Sequence, residues 1–223
     1  MATVLVTGAS RGLGLEFARQ YADEGWTVIA CCRKPAQAKE LKKLSGSIEV
    51  EALDVSDEAQ VAALAKRLKG RTIDLLINNA GVYGPRSGTD TAAWLDVFRV
   101  NSIAPLHLAH ALADNVARSE LKRIVSVTSG MGSIAQNRSA GDYVYRSSKA
   151  ALNMVMKGLS NELKDRGVIV AVLSPGWVKT DMGGRGAPLD ASDSIASMRR
   201  VIAGLKPKDS GKFFGHDGKP VPW

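Results

Sequence analysis

A chain of 223 residues, 45% of them hydrophobic and 23% charged, can bury one sizeable core and is too apolar for a disordered or fibrous protein. No apolar run approaches the roughly 20 residues of a membrane-spanning helix, and the first residues, Met1-Ala2-Thr3-Val4-Leu5-Val6-Thr7, lack a basic segment leading into a signal-type apolar stretch. The formal charge of +8 would suit nucleic acid, but its cations are scattered (Lys39, Lys42 and Lys43; Lys66, Arg67 and Lys69) with no aromatics between them, the pattern of a solvated surface. The expectation is a cytoplasmic protein with neither membrane nor nucleic acid as partner.

Short β-branched or apolar runs alternate with longer helical patterns. Strands are predicted over 3–7, 27–31, 48–53, 73–77, 123–127 and 168–173, with a short last one over 212–214. Helices are predicted over 13–24, 35–44, 57–68, a long stretch 91–117, 145–164, and from about 192. This alternation predicts a single-domain α/β chain, residues 1–223, with a Rossmann-type, doubly wound parallel sheet of six or seven strands and helices on both faces. Cys31 and Cys32 adjoin on a strand and so point to opposite faces, which argues against a disulfide. The three histidines have no cysteine or carboxylate at ligand spacing, so no metal site is expected.

The first strand runs into Thr7-Gly8-Ala9-Ser10-Arg11-Gly12-Leu13-Gly14 and then a helix. Glycines at such a turn let the backbone approach a pyrophosphate, and the helix N-terminus offers free N–H groups. Farther on, Tyr145 and Lys149 stand four apart on a predicted helix, hence on one face. An ammonium beside a phenol favours tyrosinate and brings an ordinary pKa near ~10 toward working range. Tyr143 precedes the same helix, but its residue four on is Ser147. Ser129, at the end of the fifth strand, can polarise a carbonyl or merely cap a turn, and the residues alone leave Thr128 and Ser133 open as substitutes. Asn101 falls inside the long helix, where an amide is unfavourable. It serves either function or a satisfied polar core.

The spacing Gly-x-x-x-Gly-x-Gly, Asn78-Asn79-Ala80-Gly81, Asn101, Ser129, Tyr145-Arg146-Ser147-Ser148-Lys149 and Ser174-Pro175-Gly176, in that order, resemble the short-chain dehydrogenase/reductase family over essentially the whole chain. The segments 175–184 and 209–214 resemble the branch containing C-factor and sniffer-type carbonyl reductases. The resemblance implies a catalytic set of Asn101, Ser129, Tyr145 and Lys149, with Asn101 supporting a proton relay and Lys149 also binding the ribose. It implies cofactor contacts at Gly8, Ser10, Arg11, Gly12, Leu13, Gly14, Arg33, Asp54, Val55, Asn79, Ala80, Gly81, Tyr145, Lys149, Pro175, Gly176, Val178 and Thr180. Asp54 reads equally well as a helix cap.

The second strand ends in Cys31-Cys32-Arg33-Lys34 with no acid for a ribose hydroxyl, and with Arg11 this predicts NADPH/NADP⁺ over NADH. The implied reaction is reduction of an aldehyde or ketone, a small-molecule carbonyl substrate, with Trp177, Met131 and Met182 lining a small, open pocket. The alternative is a cofactor-binding signalling or sensor protein with little turnover. Ser147, Ala151, Met154 and Gly158 form a stripe of mostly small residues that predicts a homodimer through the catalytic helix.

Overall fold

The computed structural model describes residues 1–86 and 90–223. Its elements in chain order are β1 (Thr3–Thr7), α1 (Gly12–Asp23), β2 (Thr27–Cys32), α2 (Lys39–Lys42), β3 (Ile48–Ala52), α3 (Glu58–Arg67), β4 (Leu75–Asn78), α4 (Thr91–Phe98), α5 (Ala104–Ala111), α6 (Ala113–Ala117), β5 (Arg123–Val127), α7 (Tyr143–Glu162), β6 (Ile169–Ser174), α8 (Ala191–Gly204) and β7 (Lys212–Gly215). The strands form one sheet in the order β3-β2-β1-β4-β5-β6-β7, every pairing parallel. Chain direction across the sheet reverses between β1 and β4, the crevice where doubly wound folds hold ligands.

Side-chain alternation builds two cores. Val4, Val6, Val28, Ala30, Leu75, Ile77, Val125 and Leu173 face one layer with α1 and α8, while Leu5, Ile29, Leu76, Ile124, Val170 and Val172 face the other with α3, α5 and α7. Strands apolar on both faces are what a parallel sheet covered on both sides requires. Cys31 and Cys32 divide between these cores and are free thiols. Among the described residues no helix is long and apolar enough to cross a membrane.

Two predicted helices come out differently. The stretch 35–44 is a 3₁₀ turn (Pro35–Gln37) and the single turn α2, because Ala38 between them has ψ 61°, outside the helical range. The stretch 91–117 is broken into α4, a π-helical turn (Arg99–Ile103), α5 and α6. Pro105 has no N–H to offer the Asn101 carbonyl, and the Ala104 N–H bonds back to the Arg99 carbonyl instead. Such single π turns often mark functional sites. The helix predicted from 145 starts two residues earlier, after Asp142 in left-handed conformation (φ 50°).

Candidate active site

At the end of β1 the chain turns through Gly8 and Gly12, both at positive φ (65° and 54°). A Cβ at Gly14 would stand 2.2 Å from the Gly8 carbonyl oxygen and 2.5 Å from Asn79 Nδ2, so only glycine fits. The α1 N-terminus carries no side-chain cap, which leaves its first N–H groups for an anion. Thr7, absent from the predicted site residues, ties the cradle together. Its hydroxyl oxygen accepts the N–H groups of Asn79 and Ala80, each at 3.0 Å, while Asn79 Nδ2 donates to the Thr7 carbonyl at 2.8 Å. Its position as the last strand residue before the first glycine was the available signal.

At the end of β2, Arg33 is exposed and forms no ion pair among the described residues. Arg11 Nη1 donates to Asp181 at 3.0 Å, with both side chains largely exposed. Asp54 accepts from the Ser56 N–H and hydroxyl, and the residue that caps α3 is Asp57, through the N–H groups of Ala59 and Gln60. Asp54 is therefore not the cap, and Val55 follows it half-buried at the same rim.

At the chemical end, β5, the π turn and α7 bring Ser129, Asn101, Tyr145 and Lys149 together. Ser129 Oγ accepts the Met131 N–H at 3.1 Å, capping a 3₁₀ turn (Gly130–Gly132) and keeping its own proton to donate. The turn lies tight on α7, since a Cβ at Gly132 would come 2.9 Å from Lys149 Cβ. The two serine substitutes are committed elsewhere: Thr128 Oγ1 donates to Asn153 and Ser133 Oγ to the Pro222 carbonyl. Tyr145 is buried, whereas Tyr143 is 59% exposed.

Lys149 Nζ donates to the Val127 carbonyl at 2.9 Å and lies 3.5 Å from where a Gly81 Cβ would be. Asn101, fully buried, clamps the backbone of Val82, accepting its N–H at 2.9 Å and donating to its carbonyl at 2.8 Å. Its amide also donates to Ser148 Oγ, which in turn donates to the Tyr145 carbonyl. Ser148 was likewise missed, having no signal beyond its place between Tyr145 and Lys149.

Burial pushes the Tyr145 phenol up to about 12, partly offset by the Ser129 hydroxyl. Burial also pushes Lys149 down to about 8. The causes of the Tyr145 shift are burial, the Ser129 hydroxyl and Tyr83. The ammonium sits 5.8 Å from the Tyr145 ring centroid and donates to a backbone carbonyl.

In the loop after β6, Ser174 Oγ accepts the N–H groups of Gly130 and Gly176, joining this loop to the Ser129 turn. Gly176 (φ 79°) has no space for a Cβ, which would meet Leu189 at 2.6 Å. The Pro175 carbonyl accepts from Ser194, Val178 is buried, and Thr180 lies against Gly12 across the crevice. Trp177 Nε1 donates to the Gly183 carbonyl, so the ring stands with Met182 on the exposed side of the loop.

A glycine cradle at the switch point, facing Ser129 after β5 and Tyr145 and Lys149 on α7, defines a dinucleotide-dependent oxidoreductase. The chain belongs to the short-chain dehydrogenase family, whose model matches residues 2–188. It is 46% identical over 154 residues to the C-signal protein of Myxococcus xanthus, spanning 68% of this chain and 93% of that one. Among solved structures it resembles the carbonyl reductase Sniffer of D. melanogaster (TM-score 0.93, 32% identity, all of both chains). It also resembles the NADPH-bound carbonyl reductase from chicken fatty liver (TM-score 0.91, 35% identity, 100% of this chain and 99% of that one).

Proposed function

We propose that this chain, as one domain over residues 1–223, reduces an aldehyde or ketone to an alcohol with NADPH. The observation that carries the reading is the convergence of Ser129, Tyr145, Lys149 and Asn101 from separate segments beside the glycine cradle. The residues present fit the cofactor: a cradle that excludes a Cβ at Gly14, and at the end of β2 an exposed arginine with no acid. When bound, NADPH supplies the hydride for the carbonyl carbon.

The chain's own residues do the rest. N–H groups from Ser10 to Leu13 hold the pyrophosphate, Asp54 and Val55 border the adenine, and Asn79, Ala80 and Gly81 wall the ribose. Lys149 binds the nicotinamide ribose, while Pro175, Gly176, Val178 and Thr180 orient the nicotinamide. Ser129 polarises the substrate oxygen, Tyr145 gives it a proton, and Lys149 with Asn101 passes a proton in from solvent. The same Asn101 amide that clamps Val82 fixes this relay. Two buried free thiols fit a reducing cytoplasm.

Arg33 and Arg11 take the 2′-phosphate. Arg11 must leave Asp181 to do so, but an exposed ion pair is worth about 0–1 kcal/mol against about 1.5–3 kcal/mol for a charge-assisted bond to phosphate. A preference for NADPH over NADH of at least about tenfold in kcat/KM is therefore expected, falling in Arg33→Ala. Equal efficiencies in the wild type would contradict this assignment. A panel of carbonyls followed by loss of NADPH absorbance tests the reaction itself. The C-signal relative raises the alternative of a signalling protein with little turnover, which no turnover on the panel would favour. We further propose a homodimer through α7, where Met154 is 71% exposed and Gly158 faces open space. Light scattering should give twice the chain mass, and a monomer mass at micromolar concentration would reject it.

A further inference from the structure

A residue outside the predicted site lies directly on the proposed acid. The Tyr83 ring stacks on that of Tyr145 with centroids 4.3 Å apart and planes 12° from parallel. Among the described residues no other ring stacks on Tyr145. The opposite face of Tyr83 is covered by the Arg86 guanidinium, 4.6 Å from the centroid, and its hydroxyl reaches Met131 Sδ at 3.9 Å. Burial and the Asp142 carboxylate push the Tyr83 phenol up, so this ring stays neutral beside its neighbour.

The backbone behind it is fixed from both sides. Asn101 holds Val82 by two hydrogen bonds. Gly84, at φ 75°, presses so closely on α4 and α7 that a Cβ would stand 2.6 Å from Val97 and 3.4 Å from Val144. Tyr83 is thus a plate held by Asn101 behind, Arg86 above and Met131 at its tip, with Tyr145 against its free face.

Tyr145 needs such a plate. Its phenol projects from the first turn of α7, and the partner of its oxygen is the Ser129 hydroxyl, which leaves the Tyr83 ring to fix the plane of the phenol. A misplacement of about 1 Å at a reacting group can cost about 10²-fold in rate. Resting on the catalytic reading given above, we propose that Tyr83 is a positioning residue that holds the Tyr145 ring in line with Ser129 by stacking. Its hydroxyl is not needed for this.

The test uses the full chain, NADPH and para-nitrobenzaldehyde. Tyr83→Leu removes the aromatic plate and is expected to lower kcat by about tenfold with little change in KM, while the Kd for NADPH and Tm stay near wild type. Tyr83→Phe keeps the plate and is expected to retain kcat within about twofold. That split would not follow from a merely structural role, which would lower Tm and rescue neither parameter selectively. Wild-type kcat in Tyr83→Leu, or an equal loss in Tyr83→Phe, would overturn the proposal. Tyr145→Phe run alongside separates the two claims. Full activity there removes the acid and both readings, whereas an inactive Tyr145→Phe with a wild-type Tyr83→Leu removes only this one.

Discussion

Tyr145→Phe is expected to lower kcat/KM for carbonyl reduction by about 10²–10⁴-fold, the usual effect of removing a positioned general acid. The Kd for NADPH should barely move, because the phenol oxygen acts on the substrate. The fold should tolerate the change: the ring is buried and stacked on Tyr83, and phenylalanine keeps that stack while removing one hydroxyl. Tyr143→Phe is the control. That ring is largely exposed, and the residue four positions on, Ser147, receives the Trp94 indole N–H rather than serving a phenol. Most activity should survive in it. Steady-state kinetics with circular dichroism on both variants decides between the tyrosines.

Lys149→Met is expected to lose turnover and NADPH affinity together, setting it apart from Tyr145→Phe. Its ammonium is buried against the Val127 carbonyl and beside Gly81, where it serves the ribose and the proton path at once. Burial lowers its pKa to about 8 from the ordinary 10.5. Between those values the unfolded chain binds more protons than the fold, so stability rises with pH across that window as far as this group is concerned. Below about pH 8 the buried charge costs stability, and methionine removes that cost. The Tm difference between the two proteins should therefore shift in favour of the wild type as pH rises from about 8 to 10.5. NADPH affinity of the wild type should fall over the same window as the ammonium loses its charge. Flat wild-type affinity across it, or an unaltered Kd in Lys149→Met, would remove Lys149 from the ribose.

The sheet was legible because its strands are apolar on both faces and separated by helical spacing. All seven were placed within two residues at each end. Phosphate-loop glycines were legible for a steric reason, since the crowding at Gly14 admits no other residue. The π turn was not read, although Pro105 inside the predicted helix marked where the ladder would fail and the misfit of Asn101 pointed to the same place.

Other features lie beyond sequence pattern altogether. Thr7 acts through the Asn79 backbone N–H and Ser148 through the Asn101 side-chain amide, partners that only the assembled crevice brings near. The burial of Tyr145 could not be weighed from spacing alone, because depth is set by the packed fold. Tyr83 gives no local sign of its stacking because its partner lies across the site on α7.

The most direct test of the central claim is reduction of para-nitrobenzaldehyde by the wild-type protein with NADPH deuterated at the reducing carbon of its nicotinamide, followed by mass spectrometry of the product. The account predicts one equivalent of benzylic alcohol per NADPH consumed, with deuterium on the former carbonyl carbon, and almost none from Tyr145→Phe. NADPH consumed without labelled alcohol, or equal labelled alcohol from Tyr145→Phe, would contradict it.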